Sequence, residues 1–235
     1  MKKLLILIII MATAVYAEEI YATFQVKADK SAELAFSSSG IVNKVNVDVG
    51  SVVKKDDVLA SLENSDLKAT LESAKVAEKY AKKDFERQEK VKQVINQAQY
   101  DQYAFKYENA KAQAVYQKAL FDKTVLKAPF DGVIFEKRVE EGDVVSGAMI
   151  RTILKIQSLH KRKLLLTFDQ KYHKLVKVGD KFIYKIDGDD TSYEGKISKI
   201  YPSVDTENRK MIAEVEAKDL TVGLFGEGTI TTSKK

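Results

Sequence analysis

The middle of the chain carries apolar residues at helical spacing. Residues 51–128 contain neither glycine nor proline, and residues 65–123 are rich in Ala, Lys, Glu and Gln, which favour helices. This spacing predicts an apolar seam of the coiled-coil kind, although ordinary packing of two helices gives the same periodicity. The apolar positions form two series: Leu67, Leu71, Ala74, Ala77, Ala81 and Phe85, then Tyr103, Tyr107, Ala110, Ala114 and Phe121.

Polar residues mark the ends of this stretch. Asn64 and Ser65 are candidate N-caps, and Asp66 suits the positive end of the helix dipole. Turn-forming residues are scarce in the middle, where Asn96 alone favours a turn. The local pattern therefore leaves open whether the stretch is one long helix or two helices that fold back.

Much of the remaining sequence alternates apolar and polar residues in short runs, as β-strands do. The clearest runs are residues 163–168, 181–186 and 211–215, and Gly179, Gly188 and Gly226 are predicted to mark turns. This pattern favours a small β-barrel, completed by an N-terminal strand near residues 20–26.

Two stretches on either side of the helical segment resemble each other. The interval from Gly40 to Gly50 equals that from Gly132 to Gly142, and β-branched residues between the glycines predict strands and tight turns. Each stretch is too short to bury its own apolar face, so the two together are predicted to close a small sandwich. At the same offset, Val52 matches Val144, Val53 matches Val145, Val58 matches Ile150, and Leu62 matches Leu154.

This repeat decides how the helical segment runs. For the two stretches to meet, the chain must leave at Leu62 and return at Val125 to nearly the same place. One helix of about 58 residues would separate them by roughly 87 Å, whereas two antiparallel helices of about 27 residues, each about 40 Å long, return the chain. The repeat therefore predicts a helical hairpin.

The motifs in the chain resemble those of a known family. Residues 127–134, Lys-Ala-Pro-Phe-Asp-Gly-Val-Ile, resemble the A-P-F-D-G-x-I signature of the membrane fusion proteins, the periplasmic adaptors of tripartite efflux pumps of the HlyD/RND type. Residues 195–205 resemble the barrel motif G-x-I-x-x-I-x-P-x-x-D of that family, and Arg209 and Gly226 stand where it has an arginine and a late glycine.

The resemblance implies an α+β fold. In the fold that it predicts, a split biotinyl/lipoyl-like β-sandwich is interrupted by an antiparallel α-helical hairpin, and a small β-barrel domain completes the chain. We expect a lipoyl-like domain from residues 29–63 and 125–158, a hairpin from 64–124, and a barrel from 18–28 and 159–235. A membrane-proximal domain, present in larger adaptors, is not evident.

The first residues are typical of a secretory signal peptide. Lys2 and Lys3 precede an apolar run at residues 4–15, and Ala17 suits the position before a cleavage site. We expect residues 1–17 to be cleaved and the protein to be exported to the periplasm, with an uncleaved N-terminal anchor as the alternative. The chain contains no cysteine, which excludes a lipid-modified cysteine, disulfides and thiolate metal sites.

Charge and chemistry argue against several functions. The net charge is +5, with both signs interspersed, so nucleic acid is not an expected partner. We expect no catalytic residue, cofactor or metal site, and hence no enzyme. His160 and His173 are expected to be solvated, and Asp187, Asp189 and Asp190 to form a turn, since they lack the spacing of a calcium loop. A lipoyl carrier presents a lysine for modification at the turn that joins its two halves. Here the helical segment replaces that turn and leaves no candidate lysine.

The resemblance also implies partners. Adaptors of this family link an inner-membrane transporter to an outer-membrane TolC-type channel and assemble as homo-oligomers. Their hairpin tips carry an arginine, a leucine four residues later, and a serine before a Tyr-Asp segment. The nearest positions here are Arg87, Val91 and Asn96, although two of the three residue types differ. Judged alone, Arg87 is an ordinary solvated charge on a helix.

We therefore expect a periplasmic adaptor of a tripartite efflux pump, with an RND-type transporter favoured. An adaptor of an ABC-type exporter is the nearest alternative. A periplasmic coiled-coil scaffold with no role in transport is the second alternative.

Overall fold

The computed structural model describes residues 18–232 of the chain. The expected signal peptide at residues 1–17 lies outside them. The described chain divides into two units, one from residues 30–159 and the other from the segments on either side. In chain order the elements are β1 (Glu19–Ala28), β2 (Ser31–Leu34), β3 (Gly40–Val45), β4 (Val52–Val53), β5 (Val58–Leu62), α1 (Ser65–Glu89), α2 (Gln97–Asp122), β6 (Val125–Lys127), β7 (Gly132–Lys137), β8 (Val144–Val145), β9 (Leu154–Gln157), β10 (Lys161–Asp169), β11 (Lys181–Ile186), β12 (Tyr193–Ile200), β13 (Lys210–Lys218) and β14 (Phe225–Thr231), with a 3₁₀ turn at Gln170–Tyr172.

The flanking segments form a closed barrel. Its six strands follow the order β1-β10-β13-β12-β11-β14, so β1 lies between β10 and β14. Alternate residues point inward along each strand, because successive side chains of a strand face opposite sides of the sheet. The fully buried core includes Ile20, Leu164, Leu166, Phe182, Ala213 and Ile230.

The predicted turn at Gly226 is wrong. Gly226 lies inside β14, opposite Phe24 of β1 and Ile186 of β11. A Cβ there would stand 2.2 Å from the carbonyl oxygen of Lys185 and 2.5 Å from the ring of Phe24, so glycine is needed for close approach. Gly179 and Gly188 do lie in turns, with positive φ values of 97° and 85°.

Residues 30–159 form a sandwich of two four-stranded sheets. The sheets have the orders β2-β9-β7-β4 and β6-β5-β3-β8. Each sheet combines strands from both sides of the helical segment, and the two inner faces bury one core. That core includes Val42, Leu59, Leu62, Ile134, Leu154 and Ile156.

The repeat appears in the structure as an exchange of short strands. Gly40 in β3 pairs with Val145 in β8, and Gly132 in β7 pairs with Val53 in β4. The opening strand of each repeat therefore lies beside the next strand of the other repeat. The amide of Gly50 donates to the carbonyl oxygen of Ile134 at 2.8 Å, and the matching bond from Gly142 to Val42 has the same length.

The two repeats keep the same spacing between equivalent residues only as far as Val145. Val42 pairs with Leu62, but the equivalent Ile134 pairs with Ile156 and not with Leu154. The predicted match of Leu62 with Leu154 is therefore displaced by two residues, because the connection between β8 and β9 is longer than its counterpart between β4 and β5.

The helical segment is a hairpin. Ser61 pairs with Val125, and the amide of Leu62 donates to the carbonyl oxygen of Thr124 at 2.9 Å, so the chain returns to where it left. Helix α1 has 25 residues and α2 has 26. The predicted α+β fold, a split sandwich interrupted by a helical hairpin and accompanied by a small barrel, is confirmed.

The predicted seam is wrong at one position. Ala77 is exposed, whereas Glu78 is partly buried between Ala74 and Ala81. A step of four and then three residues keeps a side chain on the seam, and Ala77 lies about 100° away from it. The positions of α1 that are at least partly buried include Leu67, Leu71, Ala74, Glu78, Ala81, Phe85 and Gln88.

The cap expected at the start of α1 is also absent. Asn64 occupies the N-cap position, but its side chain makes no capping hydrogen bond. Its amide instead donates to Thr124 Oγ1, at 2.9 Å, across the base of the hairpin. Asp66 lies in the first turn of α1, where its carboxylate accepts from the amide of Leu67 at 2.7 Å.

Candidate functional site

The three residues predicted from the sequence lie at one end of the hairpin. Arg87 is in the last turn of α1, Val91 is in the connection that follows, and Asn96 is the N-cap of α2. We call residues 87–96 the tip. The structure thus brings these residues to the end farthest along the chain from the sandwich strands, while their role in binding stays a prediction.

The tip is held by local hydrogen bonds. The amide of Val91 donates to the carbonyl oxygen of Gln88 at 3.1 Å, and the amide of Ile95 donates to that of Val91 at 3.2 Å. Asn96 has an extended backbone, and its side-chain oxygen accepts from the amide of Ala98 at 2.8 Å. Asparagine at this position satisfies one of the free amides of the helix start, so Asn96 ends the turn and begins α2.

Arg87 keeps most of its surface free. Its side chain is 72% exposed and forms an ion pair with Asp84 one turn earlier in α1. A pair this exposed is weak, because water and salt screen it and two long side chains must be ordered. The planar guanidinium therefore remains able to bind a carboxylate or backbone carbonyl of a partner.

The tip also displays an apolar residue that the sequence analysis missed. Val94 is 86% exposed, whereas Val91 is 44% exposed and the neighbouring Ile95 is partly buried. A β-branched residue in a turn between two helices was the available indication, since neither helix nor turn propensity favours it there. Val94 and Val91 thus add exposed apolar side chains to a tip that also carries Arg87.

The buried residues of the hairpin helices lie in the half nearest the sandwich. They are Leu71, Ala74 and Ala114. From there to the tip the helices pack through half-buried side chains, including Phe85, whose ring centroid lies 5.5 Å from that of Tyr100 and 5.8 Å from that of Tyr107. The outer half of the hairpin thus leaves most of its surface open to a partner.

Residues 18–232 contain neither a cluster of metal-binding side chains nor a helix suited to cross a membrane. No group of three or more His, Asp or Glu side chains within them is arranged to hold a metal ion. None of their helices combines the length and apolarity that crossing a membrane requires. His160 contacts Asp219 at 2.7 Å, and His173 contacts the carbonyl oxygen of Gln170 at 3.0 Å.

The acidic run forms a turn. Asp187 and Gly188 lie at its centre, after β11. The carboxylate of Asp189 accepts from the amide of Thr191 at 2.8 Å and from the hydroxyl of Tyr193 at 2.7 Å. These hydrogen bonds lower the pKa of Asp189, with the Thr191 contacts contributing most.

The model of the CzcB-like, barrel-sandwich hybrid domain matches residues 30–154. The chain belongs to this family. The match covers the first half of the sandwich, the hairpin and the second half as far as the start of β9, and it confirms the resemblance to the membrane fusion adaptors that residues 127–134 carry in the sequence. Among curated protein sequences, none matches the chain.

Several solved structures share the fold of this chain. A MacA–MexA chimera containing the Pseudomonas aeruginosa MexA α-hairpin domain is 22% identical, with a TM-score of 0.78 over 92% of this chain and 79% of that chain. A putative efflux transporter from Bacteroides eggerthii is 20% identical, with a TM-score of 0.68 over 92% of this chain and 70% of that chain.

The membrane fusion protein Spr0693 from Streptococcus pneumoniae is 17% identical, with a TM-score of 0.69 over 92% of this chain and 100% of that chain. At identities this low, the likeness of these three structures establishes the fold of the CzcB-like chain and not its partners or cargo.

Proposed function

We propose that this CzcB-like chain is the periplasmic adaptor of a tripartite efflux pump. In this role it joins an inner-membrane transporter, of the RND type, to an outer-membrane channel of the TolC type. The observation that carries the proposal is the hairpin that interrupts the sandwich, together with membership of the family. Solved relatives named as a putative efflux transporter and a membrane fusion protein add support.

The hairpin suits a role in bridging. Its helices have 25 and 26 residues, and at 1.5 Å per residue each spans roughly 37–39 Å. Because its outer half contains no fully buried side chain among the residues of the two helices, that half gains most by packing on another protein. The tip, with Arg87 beside exposed Val91 and Val94, contacts the channel in this proposal.

The proposed mechanism makes and breaks no covalent bond. The chain acts by positioning its partners. Several copies surround the path of the substrate, and the sandwich and barrel of each copy contact the transporter and the neighbouring copies. The side-chain contacts of the two histidines in residues 18–232 are to the carboxylate of Asp219, from His160, and to the backbone carbonyl of Gln170, from His173, and neither contact includes a hydroxyl nucleophile. We therefore assign the chain no catalytic role, and we place it in the periplasm.

Co-purification tests this proposal. A chain with a C-terminal affinity tag is expressed in its own host, the envelope is solubilised in mild detergent, and co-purifying proteins are identified by mass spectrometry. We expect an RND transporter and an outer-membrane channel. Recovery of an ABC transporter instead would refute the RND assignment, and recovery of neither protein would favour a scaffold without a transport role.

A shortened hairpin provides the matched control. Replacing residues 75–113 by a short turn keeps Leu71, Ala74 and Ala114, the buried contacts near the sandwich. We expect this variant to retain the transporter and lose the channel. Loss of both proteins from a folded variant would contradict the division of contacts proposed here.

A further inference from the structure

The two halves of the sandwich carry grooves at equivalent places. The first-half groove, with a volume of about 560 Å³, is lined by residues that include Asn46, Ser51, Val52, Asp57 and Val58. The second-half groove, with a volume of about 610 Å³, is lined by residues that include Arg138, Asp143, Val144, Met149, Ile150 and Arg151. Because Asn46, Ser51 and Val52 match Arg138, Asp143 and Val144 in the repeat, the fold itself produces both concavities.

The chemistry of the two grooves differs. Asp57 is the ionisable residue that lines the first, whereas two arginines and one aspartate line the second. The carboxylate of Asp143 is engaged by the amide of Glu140 at 2.8 Å. With two arginines against one aspartate, the lining of the second-half groove carries a net positive charge, whereas Asp57 gives the first a negative one.

The two arginines are available to different degrees. Arg138 forms an ion pair with Glu136. The carboxylate of Glu136 also binds Lys155 at 3.2 Å, so Arg138 shares its partner with a second cation. Arg151 is exposed, and within residues 18–232 its guanidinium has no hydrogen-bond or ion-pair partner. A guanidinium in this state binds a carboxylate or sulfate through two parallel hydrogen bonds.

Apolar side chains surround these cations. Val144, Met149 and Ile150 are 81%, 78% and 76% exposed. Large apolar side chains rarely stand together in water without a partner, and methionine adapts to flexible ligands. The longer connection of the second half, between β8 and β9, supplies Met149, Ile150 and Arg151 together.

We infer that the second-half groove binds an amphipathic anion, that is, a single alkyl chain with a carboxylate or sulfate head. The head lies against Arg151 and Arg138, and the chain covers Val144, Met149 and Ile150. A volume of about 610 Å³ falls in the range of about 300–1,000 Å³ that small-molecule sites occupy. This inference concerns the sandwich alone and does not depend on the proposed pump partners.

Calorimetric titration of the purified protein with laurate, below its micelle concentration, tests the inference. Dodecyl maltoside, which has an alkyl chain with the same number of carbon atoms as laurate and an uncharged head, is the control ligand. We expect laurate to bind at least about tenfold more tightly, because hydrogen bonds to a charged group contribute more than neutral ones. Equal binding of the two ligands, or no binding of laurate, would overturn the inference.

Paired variants locate the site. Arg151→Gln should weaken laurate binding by about tenfold or more, since it removes the unpartnered cation. Val144→Ser should weaken it several-fold, whereas Val52→Ser, the equivalent change in the first-half groove, should leave it unchanged. Equal effects of the two serine variants would place the ligand elsewhere. If Val144→Ser alters self-association and not laurate binding, the groove is a contact between copies of the chain.

Oxidation of methionine gives a second, site-specific measurement. Met149 is 78% exposed and Met211 is 7% exposed, so hydrogen peroxide should oxidise Met149 first. Bound laurate should slow oxidation of Met149 several-fold and leave the slow oxidation of Met211 unchanged. Unaltered oxidation of Met149 at saturating laurate would refute binding in this groove.

Discussion

The side-chain amide of Asn64 donates a hydrogen bond of 2.9 Å to Thr124 Oγ1, joining the start of α1 to the segment just after α2. Thr124 is 2% exposed, and its hydroxyl donates in turn to the carbonyl oxygen of Phe121 at 2.7 Å. Its backbone carbonyl accepts from the amide of Leu62 at 2.9 Å. Thr124 thus ties the hairpin to the sandwich at the point where the two halves of the repeat meet.

Replacing Thr124 by valine should loosen this base. Thr124→Val leaves the amide of Asn64 without its partner while keeping the shape of the side chain, so we expect a loss of about 1–2 kcal/mol of stability. Thermal unfolding followed by circular dichroism measures the loss. Thr124→Ser keeps the hydroxyl and is expected to cost less; an equal loss in both variants would assign the effect to packing of the methyl group.

The seam of the hairpin can be tested at adjacent positions. Glu78 is partly buried between the helices and Ala77 is exposed. Glu78→Leu should stabilise the helices by about 1 kcal/mol, because it buries apolar surface in place of a carboxylate. Ala77→Leu adds the same side chain on the outer surface and should change the melting temperature little. The opposite ranking would show that the seam follows Ala77.

Arg87 is the most specific element of the proposed channel contact. Arg87→Glu should weaken binding to the outer-membrane channel by about tenfold or more and lower resistance to exported compounds, since it reverses a charge at the interface. Surface plasmon resonance with the purified channel measures the affinity. Lys111→Glu makes the same charge change on α2 away from the tip and should have little effect. Unchanged resistance of the Arg87 variant at normal expression would remove Arg87 from the mechanism.

The cap at Asn96 should control the start of α2. Asn96→Ala removes the hydrogen bond to the amide of Ala98 and should cost about 1 kcal/mol, while Asn96→Asp keeps the acceptor and should cost little. Hydrogen exchange of the amides of residues 97–100 reports the change, which we expect as faster exchange in the alanine variant. Protection equal to that of the unchanged protein would show that the turn holds without the cap.

The barrel contains a carboxylate with a predicted effect of pH on stability. Burial of Glu214 raises its pKa, but hydrogen bonds from the Tyr201 hydroxyl at 2.7 Å and the Lys163 ammonium at 3.2 Å outweigh this, so its pKa is lowered. A carboxyl with a lowered pKa stabilises the fold above its unfolded pKa of about 4.3, and this contribution is lost as the pH falls through the folded value.

Glu214→Gln should therefore destabilise the barrel by about 1–2 kcal/mol at pH 7 and progressively less below about pH 4. Urea unfolding at a series of pH values measures the difference between variant and unchanged protein. Glu207→Gln, in an exposed turn, is the control and should give no such trend. A difference independent of pH would show that the charge of Glu214 does not contribute.

Much of the fold was predictable because the two halves of the sandwich have similar sequences. The matching intervals from Gly40 to Gly50 and from Gly132 to Gly142 required two β pieces to join, and this requirement folded the helical segment back on itself. The pairing of Gly40 with Val145 and of Gly132 with Val53 confirms the join. The predicted tip residues also lie at the end of the hairpin, whereas the exposure of Val94, for which its place in a turn was the one indication, was missed.

The errors have identifiable causes. Gly226 carries the usual sign of a turn, but its neighbours in space, Phe24 and Lys185, come from other strands and require glycine within β14. Asn64 has the composition of a cap, yet Thr124 offers its amide a partner that only the folded chain brings near. Ala77 and Glu78 are adjacent, and the apolar spacing placed the seam at Ala77 because alanine is apolar and glutamate is not, whereas the structure partly buries Glu78.

The sequence by itself determined the element types, because the period of apolar residues is a property of residues close together in the chain. It also determined the split repeat and the return of the hairpin, because the two similar stretches and their glycine spacing can be compared directly along the chain. Only the tertiary structure decided which strands exchange, what holds the hairpin base and how the two grooves differ. Those features depend on contacts between residues such as Asn64 and Thr124, whose separation along the chain leaves no trace in any local pattern.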